Sequence, residues 1–262
     1  MKARATNSPP MDLDVTRERL GKLGLVHAAE QLATWLAEGV AEEIQPQRFL
    51  DRMLEHELRA RDERRVRTSL VLSGLPTGQT LGNFDFAFQP AIERSRIETL
   101  ATCQWIRENR TLLIQGPPGV GKTHLAIALG MRAVELGFGV VFYRLEDLLS
   151  ALKRDADLPT SKLRSKKYLA TSLVIIDEVG FEPMTRQEAS LFFRLVSHRY
   201  QRGSILITTN KGIRDWPEVL AGDEILATAI LDRLLHNSHV LDIKGRSYRL
   251  RDLEQAVRQQ GN

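Results

Sequence analysis

The run "GPPGVGKT" (116–123) places three glycines, a lysine and a hydroxyl at the spacing G-x-x-x-x-G-K-[ST]. Gly116, Gly119 and Gly121 let the backbone turn tightly, so that successive N–H groups and the start of the following helix can surround an anion. Lys122 is suited to neutralise β and γ phosphates, and the Thr123 hydroxyl to complete a Mg²⁺ shell. Pro117, Pro118, Val120 and His124 complete the stretch expected to contact ATP. A glycine-rich turn that binds nothing is the bland alternative. The full motif, set between an apolar run and a helical pattern, argues against it.

A magnesium nucleotide also needs a carboxylate at the edge of a neighbouring strand. "LVIIDEVG" supplies Asp177 to hold the metal and Glu178 to orient and deprotonate an attacking water. A DE pair alone is weak evidence, because acidic residues at strand ends are usually solvated. Its position after a buried run, downstream of the phosphate loop, gives it weight. "ITTN" then brings Asn210 to the same sheet edge, where an amide can bond a γ phosphate and the lytic water; taken singly, it reads as a turn asparagine. "AILDRLLHNS" puts Arg233 on a helix. One such arginine is normally a surface residue, but in an oligomeric ATPase it can enter the neighbouring subunit's site.

These residues need a scaffold that brings strand ends together. "TLLIQ" (111–115), "GVVFY" (139–143), "SLVII" (172–176), "SILIT" (204–208) and "HVLDI" (239–243) are short apolar runs, each separated by enough chain for a crossover helix. Runs without strict polar alternation suit strands buried on both faces, so the expected core is a five-stranded parallel sheet flanked by helices. Ahead of it, Leu20, Leu23, Leu32 and Leu36 recur on one helical face between Asp14 and about Glu38. A second helix is predicted from Pro46, with Phe49, Leu50, Met53, Leu54 and Leu58 on a stripe before the charged "RARDERRVR". "SGLPTGQTLG" breaks the pattern. The expected division is a disordered lead-in at 1–11, a small all-helical domain at 12–75 and an α/β domain at 76–262.

The whole composition bounds the partners. Hydrophobic residues at 42% and charged ones at 27% describe an ordinary globular chain, and a net charge of +4 permits a polyanionic partner without requiring one. The single cysteine, Cys103, excludes an intramolecular disulfide and reads as a packing residue of a reducing compartment. "MKARATNSPP" lacks an apolar h-region, and no run reaches the length of a membrane span, so a cytoplasmic place is expected.

In this order the motifs resemble the AAA+ ATPases, and within them the clade of helicase loaders and replication initiators to which DnaC and DnaA belong. "LGNFDFAFQP", "LVIIDEVGFEP", "ATAILDRLLHNSHVLDIKGRSYRLRDL" and the leading "RLGKLGLVHAAEQL" are more narrowly similar to the IstB family, helper ATPases encoded by insertion sequences beside their transposase. The likeness runs from about residue 17 to residue 255. It implies an ATP-dependent homo-oligomer that binds and remodels target DNA, duplex rather than single-stranded, and then recruits or stimulates the transposase. On the same likeness Asp177 and Glu178 are the Walker B pair, Asn210 the first sensor and Arg233 the arginine finger. It also implies a reduced or absent helical lid, which leaves Arg246, Arg249 and Arg251 as open candidates for a second sensor arginine.

Initiator-type ATPases carry an extra helical element where this chain has residues 144–171, a stretch with room for two helices broken at "DLPT". Thr160 is placed to cap the second. Lys162, Arg164, Lys166 and Lys167, with Lys153 and Arg154 on the preceding helix, suit phosphate oxygens and need no base reading. A solvated helix face is the ordinary reading of such a charge run. A DnaC-like replicative helicase loader, a small-molecule P-loop kinase and a nucleotide-stabilised scaffold that does not turn over are the competing readings. The kinase reading leaves Arg233 and the basic insert without a role. Phe84, Phe86 and Phe88 read as a buried anchor, with some of them near the adenine.

Overall fold

The structure, a computed structural model, describes residues 12–250, the Thr160 side chain excepted. The lead-in of residues 1–11, the cap assigned to Thr160 and the candidate Arg251 lie outside the described residues. The described residues fall into two compact units, divided between Thr68 and Ser69.

The first unit is built from α1 (Leu13–Lys22), α2 (Val26–Ala41) and most of α3 (Pro46–Ser73). The single helix expected from Asp14 to Glu38 is two, because the chain reverses at Gly24 (φ +73°). There Leu25 N–H bonds Leu20 O and Gly24 N–H bonds Gly21 O, at 2.9 Å each, the paired bonds of a Schellman stop. The same closure ends α2, with Glu43 at φ +48° where glycine is usual.

α3 carries the arginine cluster and ends at Ser73, where "SGLPTGQTLG" was expected to break the pattern, and the cluster is largely occupied. Buried Glu57 accepts the Ala28 N–H at 2.8 Å, in the first turn of α2, and a bond from Arg64 at 3.3 Å. Arg61 caps Gly24 O at 3.0 Å. Phe49 packs close to Gly39 and Met53 is buried, but Leu50, Leu54 and Leu58 form a neighbouring line that stays exposed.

In the second unit, α4 (Arg94–Ala101) and α5 (Gln104–Arg107) precede β1 (Thr111–Gln115), α6 (Lys122–Glu135) and β2 (Val140–Arg144). Then come α7 (Leu145–Asp155), α8 (Thr160–Leu163), α9 (Lys167–Ala170), β3 (Leu173–Val179), α10 (Arg186–Arg199) and β4 (Ser204–Thr209). After a 3-10 turn at Ile213–Asp215 follow α11 (Trp216–Val219), α12 (Glu224–Leu235), β5 (Ser238–Asp242) and a second 3-10 turn, Tyr248–Leu250. All five expected strands form, and every pairing is parallel in the order β2-β3-β4-β1-β5. β4 is buried along its whole length, its apolar Ile205–Ile207 run flanked by the buried hydroxyls of Ser204, Thr208 and Thr209.

Because β4 lies between β1 and β3, the phosphate loop and the acidic strand end stand two strand spacings apart, about 10 Å. Cys103 is fully buried, and burial pushes its thiol up to about 11, so it packs as a protonated group.

The second helix of the insert is two single turns, α8 and α9. The chain takes an extended conformation at Lys166 (φ −68°, ψ 138°), whose ammonium is pinned at 2.9 Å to buried Asp155 in the last turn of α7. Tyr168 OH donates to the other Asp155 oxygen at 2.9 Å. Behind this brace, fully buried Arg199 donates to the carbonyls of Tyr168, Thr171, Ser172 and Ser204, tying the insert to the starts of β3 and β4. Burial lowers its pKa to about 10, so it stays charged at neutral pH.

Candidate active site

The loop from Gly116 to Gly121 leaves β1 and feeds α6, with the glycines in backbone conformations that side chains resist. Gly119 sits at φ +81°, and a Cβ there would lie 2.0 Å from Ser247 Oγ. One on Gly116 would meet Ile243 O at 2.3 Å. The loop is therefore packed from behind by the chain that follows β5, and Tyr248 N–H bonds Gly119 O at 2.9 Å. Val120 is fully buried beneath the loop, at the border of the cavity described next.

A cavity of about 360 Å³ opens over this loop, at the C-terminal ends of β1, β3 and β4. Pro118, Gly119, Lys122, Thr123 and His124 line it on one side and Glu178, Thr208 and Asn210 on the other. Lys122 Nζ donates to Gly116 O at 2.7 Å and Pro117 O at 2.8 Å, so its own loop holds it at the phosphate position. Burial lowers its pKa; Asp177 opposes the shift and Arg249 adds to it.

Thr123 Oγ1 donates to Asp177 at 2.9 Å, joining the hydroxyl and carboxylate expected to share a metal. A carboxylate and a hydroxyl that leave room for phosphate oxygens and water match the way Mg²⁺ is bound. Asp177 is buried, whereas the Glu178 side chain is about half exposed. The pairing register shifts between Ile176 and Val179, and Glu178 takes φ +64°. Such a bulge re-aims side chains, and left-handed backbone at a non-glycine residue is strain that concentrates at functional sites. Thr208 holds the arrangement: its hydroxyl donates to Asp177 Oδ1 and accepts the Glu178 N–H at 3.1 Å. Arg144, at the tip of β2, stands 3.9 Å from the Glu178 carboxylate.

Thr208 was missed in the sequence, since a threonine within an apolar strand carries no mark of its tertiary partners. Arg249, one of the three candidate sensor arginines, lines the cavity, and its charge bears on Lys122. Phe84 lines the cavity, with ring contacts to His124 at 5.2 Å and Phe86 at 4.8 Å. Phe88 pairs instead with Tyr248 at 5.1 Å.

Arg233 stands elsewhere. It lines a small cleft with Thr111, Gly203 and Ile205, at the N-terminal edge of the sheet, the opposite end from its own cavity. Of the expected phosphate-binding cations, Lys162, Arg164 and Arg154 are exposed. Lys167 is exposed as well, with Nζ on Leu72 O at 2.9 Å. Lys153 and Lys166 are engaged within the chain, in ion pairs with Glu188 at 2.7 Å and Asp155 at 2.9 Å. Among the described residues, no helix is long and apolar enough to cross a membrane.

The IstB-like ATP binding protein family matches residues 18–256. An insertion sequence IS21 ATP-binding protein of Pseudomonas aeruginosa is 41% identical over 90% of this chain and 89% of its own. Its IS5376 counterpart from Geobacillus stearothermophilus is 39% identical over 78% and 81%. Among solved structures, AMPPCP-bound DnaA from Aquifex aeolicus superimposes with a TM-score of 0.51 at 18% identity, covering 71% of this chain and 56% of that one. That likeness concerns the fold alone, and the fold is that of AAA+ proteins.

Proposed function

The chain belongs to the IstB-like ATP-binding protein family, and from that premise we propose that it is a Mg²⁺-dependent ATPase whose nucleotide-gated oligomer holds DNA for an insertion-sequence transposase. The observation that carries this reading is the convergence of Lys122, Thr123, Thr208 and Glu178 on one cavity, at the ends of three strands, with buried Asp177 bonded to both hydroxyls behind it. The relatives' names support ATP and the insertion-sequence setting. A helicase loader shares the fold, and nothing beyond the fold favours it here.

On this reading the loop N–H groups and Lys122 bind the triphosphate, with Lys122 exchanging its two loop carbonyls for β and γ oxygens. Thr123 and Asp177 are the residues that would hold Mg²⁺, which when bound neutralises charge on those oxygens. Glu178, exposed at the bulge, takes the proton of the attacking water. Asn210 orients that water and senses the γ phosphate. Arg249 contributes positive charge from the same chain and Arg233 from a neighbouring one. Lys162, Arg164, Arg154 and Lys167 grip phosphates of duplex DNA without reading bases, so binding is sequence-tolerant and salt-sensitive.

Retention of a labelled duplex with ATP, ADP and a slowly hydrolysed analogue tests the switch. DNA binding and assembly should require the triphosphate, and retention indifferent to nucleotide would refute the reading.

A further inference from the structure

Arg233 is held in an unusual way for a cation. Its Cζ lies 4.8 Å from the centroid of the Phe193 ring, on α10, and its Nη1 donates to Ala229 O one turn back on α12. Among the described residues it has no carboxylate partner. A ring face attracts a guanidinium through its quadrupole, yet leaves the full positive charge and most of the N–H fork available. An ion pair in the same place would restrain the side chain equally well, but it would cancel the charge and have to break before a phosphate could be met.

Location settles which phosphate can be met. The cleft around Arg233 includes Thr111 and Ile205, at the starts of β1 and β4, whereas the chain's own cavity lies at the far ends of these strands. Five residues of strand separate the two edges by roughly 16 Å. Arg233 therefore serves no phosphate on its own chain.

We propose that Phe193 is a positioning residue that presents Arg233, still fully charged, to the triphosphate site of a second copy of this chain. The inference rests on the reading of Arg233 as an arginine acting between subunits, and it adds the element that orders the side chain before assembly. Restraining a long side chain beforehand removes entropy that would otherwise be lost on reaching the transition state. The effect falls on turnover rather than on nucleotide affinity. Phe193 is only partly buried against the core, which suits a platform more than a packing anchor.

The test is steady-state phosphate release by the full chain with duplex DNA across a range of Mg-ATP concentrations. Phe193→Leu should lower kcat roughly tenfold and leave KM within about twofold, while Phe193→Tyr, which keeps the ring, should stay within about twofold of the parent. Replacing Phe193 with pentafluorophenylalanine keeps the shape but reverses the quadrupole, and should behave like the leucine variant; a packing role would leave it unaffected. Adding Phe193→Leu to Arg233→Ala should cost nothing further, because the platform then has nothing to hold.

If Arg233→Ala abolishes turnover while the leucine and pentafluoro variants keep it, the platform is refuted and the intersubunit arginine stands. If Arg233→Ala itself keeps full turnover, the reading of Arg233 falls and the platform with it.

Discussion

Thr208 shows how little of a site needs to be acidic. One hydroxyl on the strand between the phosphate loop and the acidic strand bonds Asp177 and the Glu178 backbone together. Thr208→Val preserves shape and removes both bonds, leaving buried Asp177 with the Thr123 hydroxyl alone. We expect kcat to fall by about 10- to 100-fold and stability by roughly 1–3 kcal/mol, read by phosphate release and thermal melting. Lys122→Ala should lose nucleotide binding. Glu178→Gln should keep binding and lose turnover, accumulating the ATP-bound assembly, which calorimetry and single-turnover kinetics separate. The motif residues were legible in the sequence because phosphate chemistry fixes their types and spacing. Thr208 was not, because its partners Asp177 and Glu178 are distant in the chain.

At the level of elements, the basic insert separates charge that faces outward from charge that holds the fold. Lys162→Ala and Arg164→Ala should each flatten the slope of log K against log salt by about one. Lys166→Ala should instead destabilise the insert, since buried Asp155 loses its ammonium partner.

Burial alone would raise Asp155, but the bonds from Lys166 and Tyr168 and the nearby Lys166 and Arg154 charges outweigh it and hold the carboxyl below its ordinary 3.8. A depressed carboxyl stabilises the fold fully above that ordinary value and loses its contribution as pH falls through the lower folded value. Hydrogen-exchange protection of the backbone around Tyr168 should therefore fall in this acid range. In Asp155→Asn it should be low already at neutral pH.

The strands were readable because a sheet covered on both faces demands unbroken apolar runs. The division of the first helix at Gly24 was not, since the leucine spacing continues across the stop. Nor was the break at Lys166, which depends on a carboxylate on another helix. The end of α3 at Ser73 was readable from the glycine and proline of "SGLPTGQTLG", whereas Glu57 and Gly24 O as partners of its arginines were not, because they are set by tertiary packing.

For the whole molecule, the account requires that no single copy holds a complete site. Head-to-tail contacts, in which one edge of a subunit meets the opposite edge of the next, close into rings or extend as helices, and either form would bring a neighbour's Arg233 to each cavity that has a neighbour. The decisive measurement is phosphate release from a mixture of two inactive variants, Glu178→Gln and Arg233→Ala, with duplex DNA. Where an Arg233→Ala copy receives the intact arginine of a Glu178→Gln copy, one competent site is restored. An equal mixture should thus recover about a quarter of parental activity, while each variant alone stays inactive. A mixture no more active than its separate components would contradict a site shared between copies.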